Sequence, residues 1–126
     1  MRALSQDPDN RTVVASYYPH IDRLDLDWVL ALFAADAVYE RAGAVYSGVA
    51  AISRFFREER QIRGLHSVQR IWSDGDSAVA VGEFRGHGAS GDPREVRFAD
   101  FWQFNQDGLV QRRQTYLALG HDYVQE

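Results

Sequence analysis

The segment Phe98-Ala99-Asp100-Phe101-Trp102-Gln103-Phe104 sets one carboxyl among aromatic rings, because side chains alternate along a strand and Phe98, Asp100, Trp102 and Phe104 share a side. Desolvation there favours the neutral acid, and a protonated Asp100 could donate a hydrogen bond to a developing oxyanion or act as a general acid. In the other reading Asp100 points outward and pairs with an arginine such as Arg97 or Arg113. Tyr17 falls in a helical stripe with Val14, Ile21 and Leu24, so its ring is expected in the core and its hydroxyl needs a partner, whether Asp100, a ligand or water. His66 alternates with Val68, Arg70 and Trp72; an imidazole with a pKa of about 6.5 exchanges protons at neutral pH, as a base, as an acid or only as a satisfied structural group. Arg41 in a pocket would be a fixed cation able to hold a carboxylate, enolate or phenolate, and outside it an ordinary surface arginine; the same holds for Arg113. Glu83, Arg85 and His87 alternate on one strand, at the mouth of a pocket, on a solvated face or at a dimer contact.

The residue inventory excludes other chemistries. Cysteine and lysine are both absent, which removes thiolate nucleophiles, disulfides and lysine Schiff bases. The histidines, at 20, 66, 87 and 121, show neither H-x-H nor H-E-x-x-H spacing, so no metal site and no cofactor is expected. A net charge of −4 and a pI near 5.5 argue against a nucleic-acid partner. Arg54, Arg57, Arg60 and Arg63 recur at a spacing of three along one side of a helix, expected to be its solvated side. No apolar run is long enough for a membrane span and the N-terminal residues lack a secretory signal, so a cytoplasmic location is expected.

The elements that must position these residues follow from periodicity. A first helix is predicted over residues 9–24, with a kink or break at Pro19. A second, capped by Asp25, carries Leu26, Val29, Leu30 and Phe33, and a third, capped by Ser47, carries Ile52, Phe55 and Phe56 and stops at Gly64. Between the last two, residues 37–46 read as a short hairpin around Ala42-Gly43-Ala44. Turn signals then divide the rest into strands at 65–73, 77–88, 94–105 and 109–119, paired as an antiparallel meander. The fold class is therefore α+β, a single domain over 1–126 with an ordered core at about 9–119, in which helices cover one face of a curved sheet and leave its inner face filled or partly hollow.

This order of elements, with the segment from Leu26-Asp27-Trp28 to Val38-Tyr39, resembles the nuclear transport factor 2-like superfamily, and within it the ketosteroid isomerase and SnoaL-like polyketide cyclase branch. The resemblance implies a cone-shaped sheet with three N-terminal helices, a pocket for a small apolar ligand, and a homodimer formed through the sheet. It matches Tyr17 and Asp100 to the isomerases' oxyanion site and puts Arg41 where their catalytic base stands, with Glu40 adjacent. Dehydratase members pair a first-helix Tyr and Asp with a strand histidine, which here correspond to Tyr17, Asp22 and His66. The expected catalytic group is thus Tyr17, Asp100, His66 and Glu40; Arg41, Asp22, Phe98, Trp102, Arg113 and Tyr39 are the expected substrate contacts. The implied activity is isomerisation, cyclisation or dehydration of a polyketide or steroid-like carbonyl compound, and the alternative is a non-catalytic binding or dimeric scaffold protein.

Overall fold

The computed structural model describes residues 6–118, with side chains from Asn10 onward; Leu119 and His121 lie outside them. The elements in order are α1 (Gln6–Asp22), α2 (Leu26–Ala31), β1 (Phe33–Arg41), β2 (Ala44–Ser47), α3 (Val49–Arg54), which runs on into a π-helical turn (Phe55–Glu59), β3 (Arg63–Asp74), β4 (Ser77–His87), β5 (Pro93–Phe104) and β6 (Val110–Ala118). No helix among them is long and apolar enough to cross a membrane.

α1 buries Val14, Tyr17, Tyr18 and Ile21 at helical spacing. It passes through Pro19 without the expected break, since the ring lies in the last turn, where the Arg23 N–H still reaches the Pro19 carbonyl. The helix ends at Asp22 rather than residue 24. Leu24 takes φ 61°, and the Asp25 N–H closes back on the His20 carbonyl at 2.9 Å, a cap that usually employs glycine. α2 is shorter than predicted: Phe33 opens β1 instead of extending the helix and is buried there. The third helix starts after Gly48 (φ 89°), because Ser47 is held in β2 opposite Val38. It finishes at Glu59, so Gly64 lies inside β3.

The predicted hairpin joins β1 and β2 through Ala42 (φ 49°) and Gly43 (φ 81°), the two left-handed residues of a type I′ turn. β3 to β6 form the expected antiparallel meander. Periodicity did not show that β1 lies parallel to β6, giving one curved, unclosed six-stranded sheet in the order β2-β1-β6-β5-β4-β3. Helices cover its concave side, which gives the expected α+β cone. A bulge between Val68 and Arg70 reverses the alternation of β3, so Ile71 packs inward while Arg70 and Trp72 are exposed, with the guanidinium over the indole at 4.8 Å. His66 and Val68 therefore do not share a face with Arg70 and Trp72.

The hollow originates in side-chain size along β4. Its inward residues next to β5 are Ala78, Ala80 and Gly82, opposite Trp102, Asp100 and Phe98. A Cβ at Gly82 would sit 2.3 Å from the Ser67 carbonyl oxygen and 3.1 Å from the Phe98 ring, so this position needs glycine for the close approach of β3 and β5. The small row makes room for the Tyr17, Tyr18 and Trp102 rings, packed edge to face at 4.9–6.4 Å between centroids.

Candidate active site

Asp100 and Arg113 are 1% and 3% exposed. Register places Asp100 opposite Thr115 and Trp102 opposite Arg113, so the concave face carries all four. Arg113 Nη2 donates to Asp100 Oδ2 at 2.9 Å, the Tyr18 hydroxyl donates to the same oxygen at 2.5 Å, and Thr115 Oγ1 donates to Oδ1. A guanidinium can only donate, so Asp100 is the anion of a buried ion pair. The expected pairing with Arg113 is therefore found, but it is buried rather than on an outward face, and the carboxyl accepts from three donors instead of donating as a neutral acid. Burial, the largest single influence, would pull the Arg113 guanidinium down, but the Asp100 charge together with the Tyr17, Tyr39 and Tyr18 hydroxyls outweighs it and holds the group well above its ordinary range. Arg113 is also enclosed by the rings of Tyr17, Trp102 and Tyr39 at 4.4, 4.5 and 4.7 Å.

Arg113 Nη1 donates to the Tyr17 hydroxyl oxygen at 2.8 Å. The phenol thus spends its lone pair on the cation and keeps its own O–H for the cavity it lines. Burial raises the Tyr17 pKa, with Arg113 opposing, so the group stays a protonated donor at neutral pH.

Asp22, at the end of α1, reaches β3 twice: Oδ1 lies 2.5 Å from His66 Nδ1, and Oδ2 accepts the His66 backbone N–H at 2.8 Å. The carboxylate fixes the ring and favours a proton on Nδ1, which leaves Nε2 with a free lone pair. Desolvation lowers the His66 pKa below 6.5, the Asp22 contact opposes this, and the Arg60 and Arg113 charges add to the lowering. The neutral base is therefore the form present at pH 7. Phe84, Tyr18 and Phe98 surround the ring, with centroids at 4.8, 5.4 and 5.4 Å.

These groups meet at a cavity of about 780 Å³, within the range of small-molecule sites. Of the expected residues, Tyr17, Tyr39, Arg41, His66, Phe98, Asp100 and Arg113 line it. Asp22 stands behind His66 and faces a separate hollow, and Trp102 is fully buried behind Arg113, so neither is on the lining. Glu40 is corrected: it projects from the opposite side of β1, where Arg112 and Gln114 bind it, so it has no access to the cavity. Arg41 takes the inward place instead, its guanidinium 5.1 Å from the Phe55 ring centroid. Glu83 and Arg85 line the outer part of the cavity.

Sequence reasoning missed Arg60, Tyr18 and Thr115. The spacing of three predicts a solvated stripe that includes Arg60, but the π turn ends the helix at Glu59 and Arg60 is extended (φ −75°, ψ 115°), so it enters the cavity, while Arg54, Arg57 and Arg63 remain exposed. Thr115 was findable by pairing the strands across Asn105–Leu109, although a register shift next to that turn changes the count. Among the described residues, no group of three or more His, Cys, Asp or Glu stands close enough to hold a metal ion.

No curated protein sequence matches the chain. Solved structures do. An NTF2-like protein from Burkholderia pseudomallei superposes with a TM-score of 0.79 at 21% identity, over 87% of this chain and 91% of that one. A polyketide cyclase candidate from Xanthomonas campestris pv. campestris gives 0.80 at 22% identity over 95% and 97%. A Mycobacterium tuberculosis protein crystallised with estradiol-17β-hemisuccinate gives 0.77 at 21% identity over 88% and 95%. At such identities these likenesses establish the fold. The SnoaL-like domain model matches residues 14–113, most of the chain, and the protein therefore belongs to that family of the nuclear transport factor 2-like superfamily.

Proposed function

We propose that this chain is an enzyme that moves a proton on a small, largely apolar carbonyl compound of polyketide or steroid-like type. The observation that carries the reading is the Asp22–His66 contact of 2.5 Å at the wall of a cavity that Tyr17 also lines. His66 Nε2 removes a proton from the carbon next to the carbonyl, and the charge that collects on the carbonyl oxygen is met by the Tyr17 O–H, polarised in turn by Arg113. Asp22 stabilises the imidazolium. Three outcomes conserve the proton: return to a different carbon is isomerisation, attack of the enolate on a second carbonyl with protonation of the new alkoxide is ring closure, and departure of a β-hydroxyl as water is dehydration. Phe84, Phe98, Ile62 and Leu117 supply apolar wall. The related protein that holds estradiol-17β-hemisuccinate supports a polycyclic ligand of this size.

A second reading, a non-catalytic binding protein, is favoured by Arg41 at the position where the resemblance puts a base, since a guanidinium binds anions and abstracts no proton. Deuterium incorporation into β-tetralone in heavy water, followed by proton NMR, separates the two. The native chain should exchange the α-protons faster than buffer, and His66→Gln should slow the exchange by about a hundredfold. No acceleration over buffer, or an unchanged rate in His66→Gln, leaves the binding protein.

A further inference from the structure

The cavity lining holds six arginines and three acids, in a chain whose net charge is −4. Arg113 is neutralised by Asp100 at 2.9 Å, Arg85 by Glu95 at 2.8 Å and Arg94 by Asp92 at 2.7 Å, while Arg97 is exposed to solvent opposite Glu83 on β4. Among the described residues no carboxylate pairs with the two half-buried arginines, Arg41 and Arg60. The Arg41 guanidinium leans on the Phe55 ring, and its buried Nε has no acceptor. Arg60 has one long hydrogen bond, 3.4 Å to the Ile62 carbonyl. Burial lowers the Arg60 pKa, and the group lies in the field of Tyr17, Tyr39, Arg41 and Arg113. Guanidinium donors taken out of water without an anion are unfavourable, and a planar oxyanion answers their geometry.

We propose that the ligand carries an anionic group, a carboxylate or phenolate, which Arg41 and Arg60 bind while its apolar ring system occupies the rest of the cavity. This rests on the reading above for the reacting end of the ligand and adds an anchor for the other. The two cations select the charged form, hold the ligand in one orientation, and leave Tyr17 and His66 to the reacting carbonyl. Charge at the site also favours entry of anions over neutral analogues of equal shape.

The test is calorimetric titration of the full chain with naphthoate and, separately, with naphthamide, which share a ring system and differ in charge. The native protein should bind naphthoate at least about tenfold more tightly at low salt. Arg60→Gln and Arg41→Gln should each reduce that preference by about fivefold or more. Equal affinities in the native protein, no binding of either compound at millimolar concentration, or a preference that survives the Arg41→Gln/Arg60→Gln double variant would overturn the proposal. His66→Gln keeps the readouts separate: it should retain the naphthoate preference while losing proton exchange. Loss of the preference with exchange intact removes the anion anchor alone, and retention of the preference in a native chain that exchanges no proton removes the catalytic reading alone.

Discussion

Replacing Asp100 by Asn should destabilise the fold before it reports on chemistry. The carboxylate accepts from Arg113, Tyr18 and Thr115, and with Arg113 it is almost wholly withdrawn from solvent. An amide keeps the shape but removes the charge, and it turns an N–H₂ towards at least one of three donors. The Tyr18 and Thr115 hydroxyls can rotate to accept from it; the Arg113 guanidinium cannot, and is left as a buried cation with no carboxylate charge, only the neutral Tyr17 hydroxyl and aromatic faces around it. Breaking a buried pair from one side costs about 3–5 kcal/mol, which for a chain of this length corresponds to a fall in Tm of about 10–20 °C. Differential scanning calorimetry of Asp100→Asn beside the native chain measures it. The double variant Asp100→Leu/Arg113→Met removes both charges and should recover most of the loss, because burial of the pair is itself expensive. A Tm within about 3 °C of native for Asp100→Asn would refute the compensated pair and return Asp100 to the role of a neutral acid.

The pH dependence follows from His66, whose pKa in the folded protein is depressed below 6.5. A lowered value means that the unfolded chain binds the proton more readily, so this group's contribution to stability is complete above about 6.5 and is lost as pH falls through the folded value. kcat/KM for proton exchange should accordingly fall on the acid side with a midpoint below 6.5, and a midpoint at or above that figure would contradict the burial and charge assigned to the ring. At the end of α1, Leu24→Gly should raise stability by about 0.5–1 kcal/mol in urea denaturation, since Leu24 is strained at φ 61° and 41% exposed.

Where a pattern depended only on neighbours in the chain it was legible. The stripe of Val14, Tyr17 and Ile21, the turn at Ala42-Gly43 and the alternation that groups Phe98, Asp100, Trp102 and Phe104 all reappear in the folded molecule. What could not be read depended on register and on distant partners. One extra residue between Val68 and Arg70 moves Trp72 outside, and one π turn sends Arg60 inward. For Asp100, alternation shows the aromatic rings of its own strand and leaves a neutral acid and a pairing with Arg113 both open; the β5–β6 register, which brings Arg113 opposite Trp102, decides for the pair. Glu40 and Arg41 differ by one position, and only the hairpin register decides which of them faces the cavity.

The parallel seam between β1 and β6 also governs when the cavity can exist. Tyr39 lies beside Arg113 and Arg41 beside Thr115 across that seam, and the Val110 N–H is tied to the Leu32 carbonyl at 2.7 Å, so each contact spans more than half of the chain. Local helices and the β1–β2 hairpin can form early, but closing loops of such length is slow. During synthesis the first half of the protein must wait, with the β1 edge unpaired, until β6 has left the ribosome. The cavity wall is therefore the last part of the molecule to be assembled, and the stretch of time before it forms is when the chain is most exposed to aggregation.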